Sequence, residues 1–139
     1  DYKDGLIYTD YAYPGDPETI YPSKLLWGLG NYSRFVRPGM VRVALSRDNS
    51  DLEGLLGSAY ADPAKGRVVV VYVNMAEETV SIKLQATRDG SPAPLGQLTP
   101  YVTSDREGDD LRQYPPSPEG EAFRIPARSV VTLVARMGE

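Results

Sequence analysis

The spacing of apolar residues changes period once along the chain. Between residues 23 and 36, Leu25, Leu26, Leu29, Tyr32 and Val36 recur three or four apart and predict one apolar face of a helix. Pro22 and Ser23 suit its first turn, Ser as a cap and Pro because its φ is preset near the helical value. Arg34 and Arg37 put cations in the expected last turn, and Pro38-Gly39 stops the helix. Gly28 and Gly30 each lower helix propensity by about 1 kcal/mol, so close packing on a neighbour is expected to offset them. Trp27 falls on another side of this helix and is expected to pack against an adjoining element.

From residue 40 the period is two. Residues 40–46 alternate Val41, Val43 and Leu45 with Arg42, Ala44 and Ser46, and residues 55–61 make a second candidate strand. Residues 67–74 hold an unbroken apolar run, Val68 to Val73, which fits a strand buried on both faces. Residues 79–86 turn Val80, Ile82 and Leu84 inward and Ser81, Lys83 and Gln85 outward. Residues 98–104, 122–125 and 129–137 complete the set, with turn signals at Asp62-Pro63, Lys65-Gly66 and Asp89-Gly90. The fold class predicted is mainly β: an antiparallel Greek-key-type sandwich of about seven strands, preceded by a loop and one α-helix. Residues 87–96 and 105–120 read as loops, and residues 1–39 divide from residues 40–139 as loop plus helix from sandwich.

Composition narrows the function. A chain of 139 residues, 41% hydrophobic and 24% charged, is one globular domain by size and content. The absence of Cys and His removes thiol chemistry, disulfides, imidazole bases and the usual zinc sites. A net charge of −4 argues against nucleic acid and anionic membrane as partners, since both select basic surfaces. No apolar run approaches the roughly 20 residues that span a bilayer. The start lacks Met and a basic-then-apolar leader, and reads as a processed chain or a cut piece.

Six of the ten Tyr lie in the first forty residues: Tyr2, Tyr8, Tyr11, Tyr13, Tyr21 and Tyr32. A Tyr ring offers a flat apolar face with a polar tip, which suits a sugar ring, and Tyr8 and Tyr21 equally suit packing against the helix. Hydrolysis of sugars needs two carboxyl groups about 5–9 Å apart. Most of the 19 acids stand at turn or cap positions, among them Asp48, Asp51, Asp62, Asp89, Asp105, Asp109 and Asp110, and are expected to be solvated turn formers. Asp4 and Asp10 stand apart, beside the Tyr-rich loop. Asp105, Glu107, Asp109 and Asp110 around Gly108 resemble part of a calcium loop but lack the rest of its pattern, so no metal site is assigned. No Gly-rich phosphate loop or Ser nucleophile elbow is present, and no cofactor is expected. The candidate substrate-binding residues are Tyr8, Asp10, Tyr11 and Tyr13, and no residue is assigned a catalytic role.

Residues 23–39, ending Gly30-Asn31-Tyr32-Ser33-Arg34-Phe35-Val36-Arg37-Pro38-Gly39, resemble the last barrel helix and exit of glycoside hydrolase family 30. Met40-Val41-Arg42-Val43, residues 98–104 and residues 123–134 resemble the strands that follow it. Asp4-Gly5-Leu6-Ile7-Tyr8-Thr9-Asp10 is similar to the loop after the eighth barrel strand in the endo-β-1,6-galactanase-like branch. The resemblance implies a secreted or periplasmic retaining glycosidase with a (β/α)8 barrel and a side sandwich, acting on β-linked galactan, glucan or xylan. Its catalytic glutamates would sit at the ends of the fourth and seventh barrel strands, which this chain does not contain. The sandwich of that family also takes a strand from before the barrel. The chain is then an accessory, stabilising domain, inactive alone, whose partner is a barrel in cis or in trans. The loop with Tyr8, Thr9, Asp10, Tyr11 and Tyr13 would border the substrate cleft. Two rival readings are a free-standing carbohydrate-binding module and a structural domain that pairs with a separate barrel chain.

Overall fold

The computed structural model describes residues 4–9, 19–47 and 54–138. Asp10, Tyr11, Tyr13, Asp48 and Asp51 lie outside the described residues. In chain order the elements are β1 (Ile7–Thr9), β2 (Ile20–Pro22), α1 (Lys24–Ser33), β3 (Val41–Val43), β4 (Leu55–Asp62) and β5 (Arg67–Asn74). Then come β6 (Val80–Lys83), β7 (Thr87–Arg88), β8 (Ser91–Pro92), β9 (Thr99–Thr103), β10 (Arg112–Gln113), β11 (Ala122–Ile125) and β12 (Ser129–Arg136).

Six strands form one sheet in the order β10-β9-β12-β5-β4-β3, and every neighbouring pair is antiparallel. The order departs from the chain order, as Greek-key connections require. β5 lies near the middle, paired along all eight residues with both β4 and β12. Its valine run is explained by its position, because both of its faces are covered. Val70 and Tyr72 enter one core with Leu55, Ala59, Val131, Leu133 and Ile125. Val69 and Val71 enter a second core with Phe35, against the helix side of the sheet.

The large sheet therefore has two different covers. On one face lies the antiparallel pair β6–β11, with Val80, Ile82 and Phe123 turned to the core and Leu84, Leu95 and Leu98 filling in beside it. On the other lie α1 and the exit segment after it, through Tyr32, Phe35, Val36 and Met40. The result is a sandwich with a helix on its outer face. This agrees with the predicted fold class, and the inward positions expected of residues 79–86 are inward.

Several elements differ from the sequence expectation. The strand expected over 40–46 is cut to Val41–Val43, a sheet edge with Val41 and Val43 exposed. Residues 87–96 contain the hairpin β7–β8, whose turn residues Asp89 and Gly90 both have positive φ, 51° and 79°. That is the backbone twist a two-residue hairpin turn needs. Residues 105–120 supply β10 to the sheet edge and a further bridge, Leu98 to Ser117.

The helix is shorter than expected, ending at Ser33, so Arg34 and Arg37 lie beyond its last turn. Arg37 still serves the helix end, donating to the Ser33 carbonyl at 2.8 Å. Ser23 occupies the cap position but makes no side-chain cap bond. Its hydroxyl is directed instead to the carbonyls of Gly5 and Leu6.

Candidate functional site: the seam between helix and sandwich

The face that packs on the sheet keeps Tyr32 and Val36 of the apolar stripe read from the spacing, but not Leu25 and Leu29. Leu25 and Leu29 are 49% and 51% exposed, whereas Asn31 is fully buried. The Asn31 amide donates to the Tyr101 carbonyl at 3.0 Å and to the Thr132 hydroxyl at 2.9 Å. Its side-chain oxygen accepts from the Thr103 hydroxyl at 2.7 Å, and its backbone carbonyl accepts from Thr132 at 2.7 Å. Tyr101, Thr103 and Thr132 are on β9 and β12, so a single side chain ties the helix to two strands. A buried amide is tolerable only when so fully paired.

Close approach permits this. A Cβ on Gly30 would stand 3.2 Å from Leu111, and one on Gly28 would stand 3.9 Å from Val130. The expected close packing is present, and it brings the helix backbone down onto the sheet. Phe35 stacks on Tyr101, centroids 4.4 Å apart, with the Arg34 guanidinium 5.5 Å and 5.6 Å from the two rings. Tyr32 meets Ser58 of β4 at 3.3 Å, and Gly39 turns the chain at φ 92°. Gly30, Asn31, Tyr32, Arg34, Phe35 and Val36 thus form a packing signature fitted to the sheet, and Gly39 turns the chain at the helix exit. This stretch holds no carboxylate.

A second tie runs through the loop after β9. Asp109 is 2% exposed, against the expectation of a solvated turn former. Its carboxylate accepts from the Ser104 hydroxyl at 2.7 Å and the Tyr114 hydroxyl at 2.6 Å. Burial opposes its charge, but the Tyr114 and Ser104 hydrogen bonds, with the Arg112 and Arg106 guanidiniums, outweigh burial and hold it below the ordinary value of 3.8. The same hydrogen bond is the first cause that raises Tyr114, followed by burial. Lys24, the first residue of α1, donates to the carbonyls of Arg106 and Asp109 and pairs with Asp110. Nothing in the local sequence marks Asp109 as buried, because its partners are set by the loop's closure.

Of the four candidate substrate-binding residues, Tyr8 alone is among those described. It is half-buried, stands opposite Tyr21 in the β1–β2 hairpin, and accepts the Gly5 N–H on its hydroxyl at 2.8 Å. The hairpin's Leu6, Ile7, Ile20 and Tyr21 are exposed, as are Leu25 and Leu29 of α1. A cleft of about 460 Å³ opens elsewhere, between β9, β11 and the loop carrying Tyr114, and among the described residues Asp109 is the acid that lines it. With both oxygens of Asp109 already engaged, the described residues bring no carboxylate pair to that cleft for hydrolysis.

Among the described residues the chain is thus a β-sandwich with one helix on its outer face, and Leu25, Leu29 and the hairpin residues Leu6, Ile7, Ile20 and Tyr21 are left exposed. The family described as "Glycosyl hydrolase family 30 beta sandwich domain" matches residues 39–133, and the chain belongs to that family. A conserved exported protein from Bacteroides fragilis is similar at 32% identity and TM-score 0.70, covering 93% of this chain and 26% of that one. A family 30 endoxylanase from Clostridium papyrosolvens C71 shares the fold at 24% identity and TM-score 0.66, covering 83% and 28%. The family 30 subfamily 8 xylanase Xyn30A from Clostridium acetobutylicum does so at 24% and 0.64, covering 84% and 28%. The chain spans little more than a quarter of the length of these proteins.

Proposed function

We propose that the chain is the C-terminal accessory sandwich of a retaining glycoside hydrolase acting on β-linked polysaccharide of the galactan, glucan or xylan type, within the endo-β-1,6-galactanase-like branch. Residues 1–39 are the end of its barrel and residues 40–139 its side domain. The observation that carries this reading is the orientation of α1. Asn31 is spent inside the seam while Leu25 and Leu29 stand open, as do Leu6, Ile7, Ile20 and Tyr21 of the hairpin. Open apolar patches of this kind mark surfaces that another body covers, and here that body is the (β/α)8 barrel, in cis. A strand from before the barrel joins the sandwich as well.

On this reading the catalytic acids belong to the barrel, and the chain does no chemistry alone. Its role is to fix the last barrel helix and, through it, the segment that carries Tyr8, Asp10, Tyr11 and Tyr13 at the rim of the substrate cleft. The polypeptide is secreted or periplasmic, a reading supported by the similar protein described as exported.

The test is a polypeptide that joins this chain to its barrel. Leu25→Glu with Leu29→Glu should lower its melting temperature by several degrees and cost most of its activity, since burying two unpaired charges is unfavourable. The same pair of changes in the isolated chain should shift its melting temperature by less than about 2 °C, as both sites are already wet. An equal shift in both contexts, or hydrolysis of galactan, glucan or xylan by this chain alone, would overturn the reading.

A further inference from the structure

Lys24 occupies a seat built to its own chemistry. An ammonium group has three protons to donate, and three oxygens meet it: the Arg106 carbonyl at 2.9 Å, the Asp109 carbonyl at 3.3 Å and the Asp110 carboxylate. The loop holds the two carbonyl oxygens in place. Ser104 N–H donates to the Asp109 carbonyl at 3.1 Å, Asp109 N–H donates to the Arg106 carbonyl at 3.3 Å, and the buried Asp109 carboxylate anchors the turn to Ser104 and Tyr114.

The residue before Lys24 grips the hairpin. Ser23 N–H donates to the Leu6 carbonyl at 3.0 Å, and the Ser23 hydroxyl lies 2.8 Å and 3.0 Å from the Gly5 and Leu6 carbonyls, its one proton shared between them. Gly5 N–H in turn donates to the Tyr8 hydroxyl. The hairpin buries little of its own surface, with Ile7 53% and Ile20 63% exposed, and a lone two-stranded hairpin is at best marginally stable in water. The Ser23 bonds therefore add to its order.

We infer that Ser23 and Lys24 are positioning residues: they pass the rigidity of the sandwich loop at 104–110 to the β1–β2 hairpin and so set the place of Tyr8. The consequence for substrate rests on the proposed function above, in which Tyr8 borders the cleft. The coupling itself does not, because both of its ends lie within this chain.

Amide hydrogen exchange of the isolated chain tests it. Lys24→Met should speed exchange at Gly5 and Ser23 about fivefold or more, on the scale of one lost surface tie, with Val70 and Leu133 unchanged. Lys24→Arg, which keeps a multiple donor, should restore protection. Unchanged exchange at Gly5 and Ser23, or a rise that Val70 and Leu133 share equally, would overturn the inference. In the polypeptide with its barrel, Lys24→Met should raise KM more than it lowers kcat. An unchanged KM beside faster exchange would uphold the coupling and overturn the placement of Tyr8 at the cleft.

Discussion

Asn31 and Thr132 exchange hydrogen bonds across the helix–sheet seam: the Asn31 amide donates to the Thr132 hydroxyl at 2.9 Å, and that hydroxyl donates to the Asn31 carbonyl at 2.7 Å. One hydroxyl thus meets both a side-chain donor and a main-chain acceptor, and neither strand nor helix can slide without breaking both. The pair is fully buried, which raises the cost of leaving either partner unmatched.

Asn31→Ala strips partners from Tyr101, Thr103 and Thr132 at once. The expected loss is about 2–4 kcal/mol of unfolding free energy, from unsatisfied buried groups plus a small cavity. Asn31→Leu should not recover it, since volume returns without donors. Urea denaturation of the three proteins is the measurement, and a loss under about 1 kcal/mol for Asn31→Ala would contradict the seam's assigned role.

Asp109 makes stability depend on acid. Its folded value is depressed below 3.8, because the Tyr114 and Ser104 bonds and the nearby arginines outweigh the burial that opposes its charge. A depressed carboxylate contributes stability that is complete above its ordinary value and lost as pH falls through the lowered folded one. Asp109→Asn should therefore cost about 1.5–3 kcal/mol at neutral pH, the range for hydrogen bonds to a charged group. That difference should shrink as pH falls below 3.8. A gap between the two proteins that stays constant with pH would show that the charge does not matter.

The two helical glycines should respond differently to alanine. At Gly28 the new methyl meets Val130 at 3.9 Å, ordinary contact, so the gain in helix propensity should appear as about 0.5–1 kcal/mol of added stability. At Gly30 the methyl meets Leu111 at 3.2 Å, and the crowding should cancel the gain. Thermal melts of the two variants check this. An equal increase in both would mean the seam has slack at Leu111.

Much of the sandwich was legible in the sequence. The valine run of β5, the alternation of Val80, Ile82 and Leu84 and the turn at Asp89-Gly90 each report local constraints: two buried faces, one buried face, a hairpin twist. The resemblance rested on residues that the seam explains, Gly30 and Asn31 for approach and pairing, Arg34 and Phe35 for stacking on Tyr101. Of the candidate site, Tyr8 was placed beside Tyr21 and the helix start. Asp10, Tyr11 and Tyr13 lie outside the described residues.

What the sequence determined by itself was the order and kind of the main elements, because periodicity and turn chemistry act over a few neighbouring residues. Which face of the helix is buried, and which aspartate is, were decided only by the tertiary structure. Spacing favoured a stripe of Leu25, Leu26, Leu29, Tyr32 and Val36, of which Tyr32 and Val36 pack on the sheet while Leu25 and Leu29 stay exposed. Beside them the sheet took Asn31, whose partners on β9 and β12 stand 70 to 101 residues away in the chain and which the glycines let approach. Asp109 reads as one more acid in an acidic loop until the loop folds back and sets Ser104 and Tyr114 against its two oxygens. Both outcomes depend on donors and acceptors meeting in three dimensions.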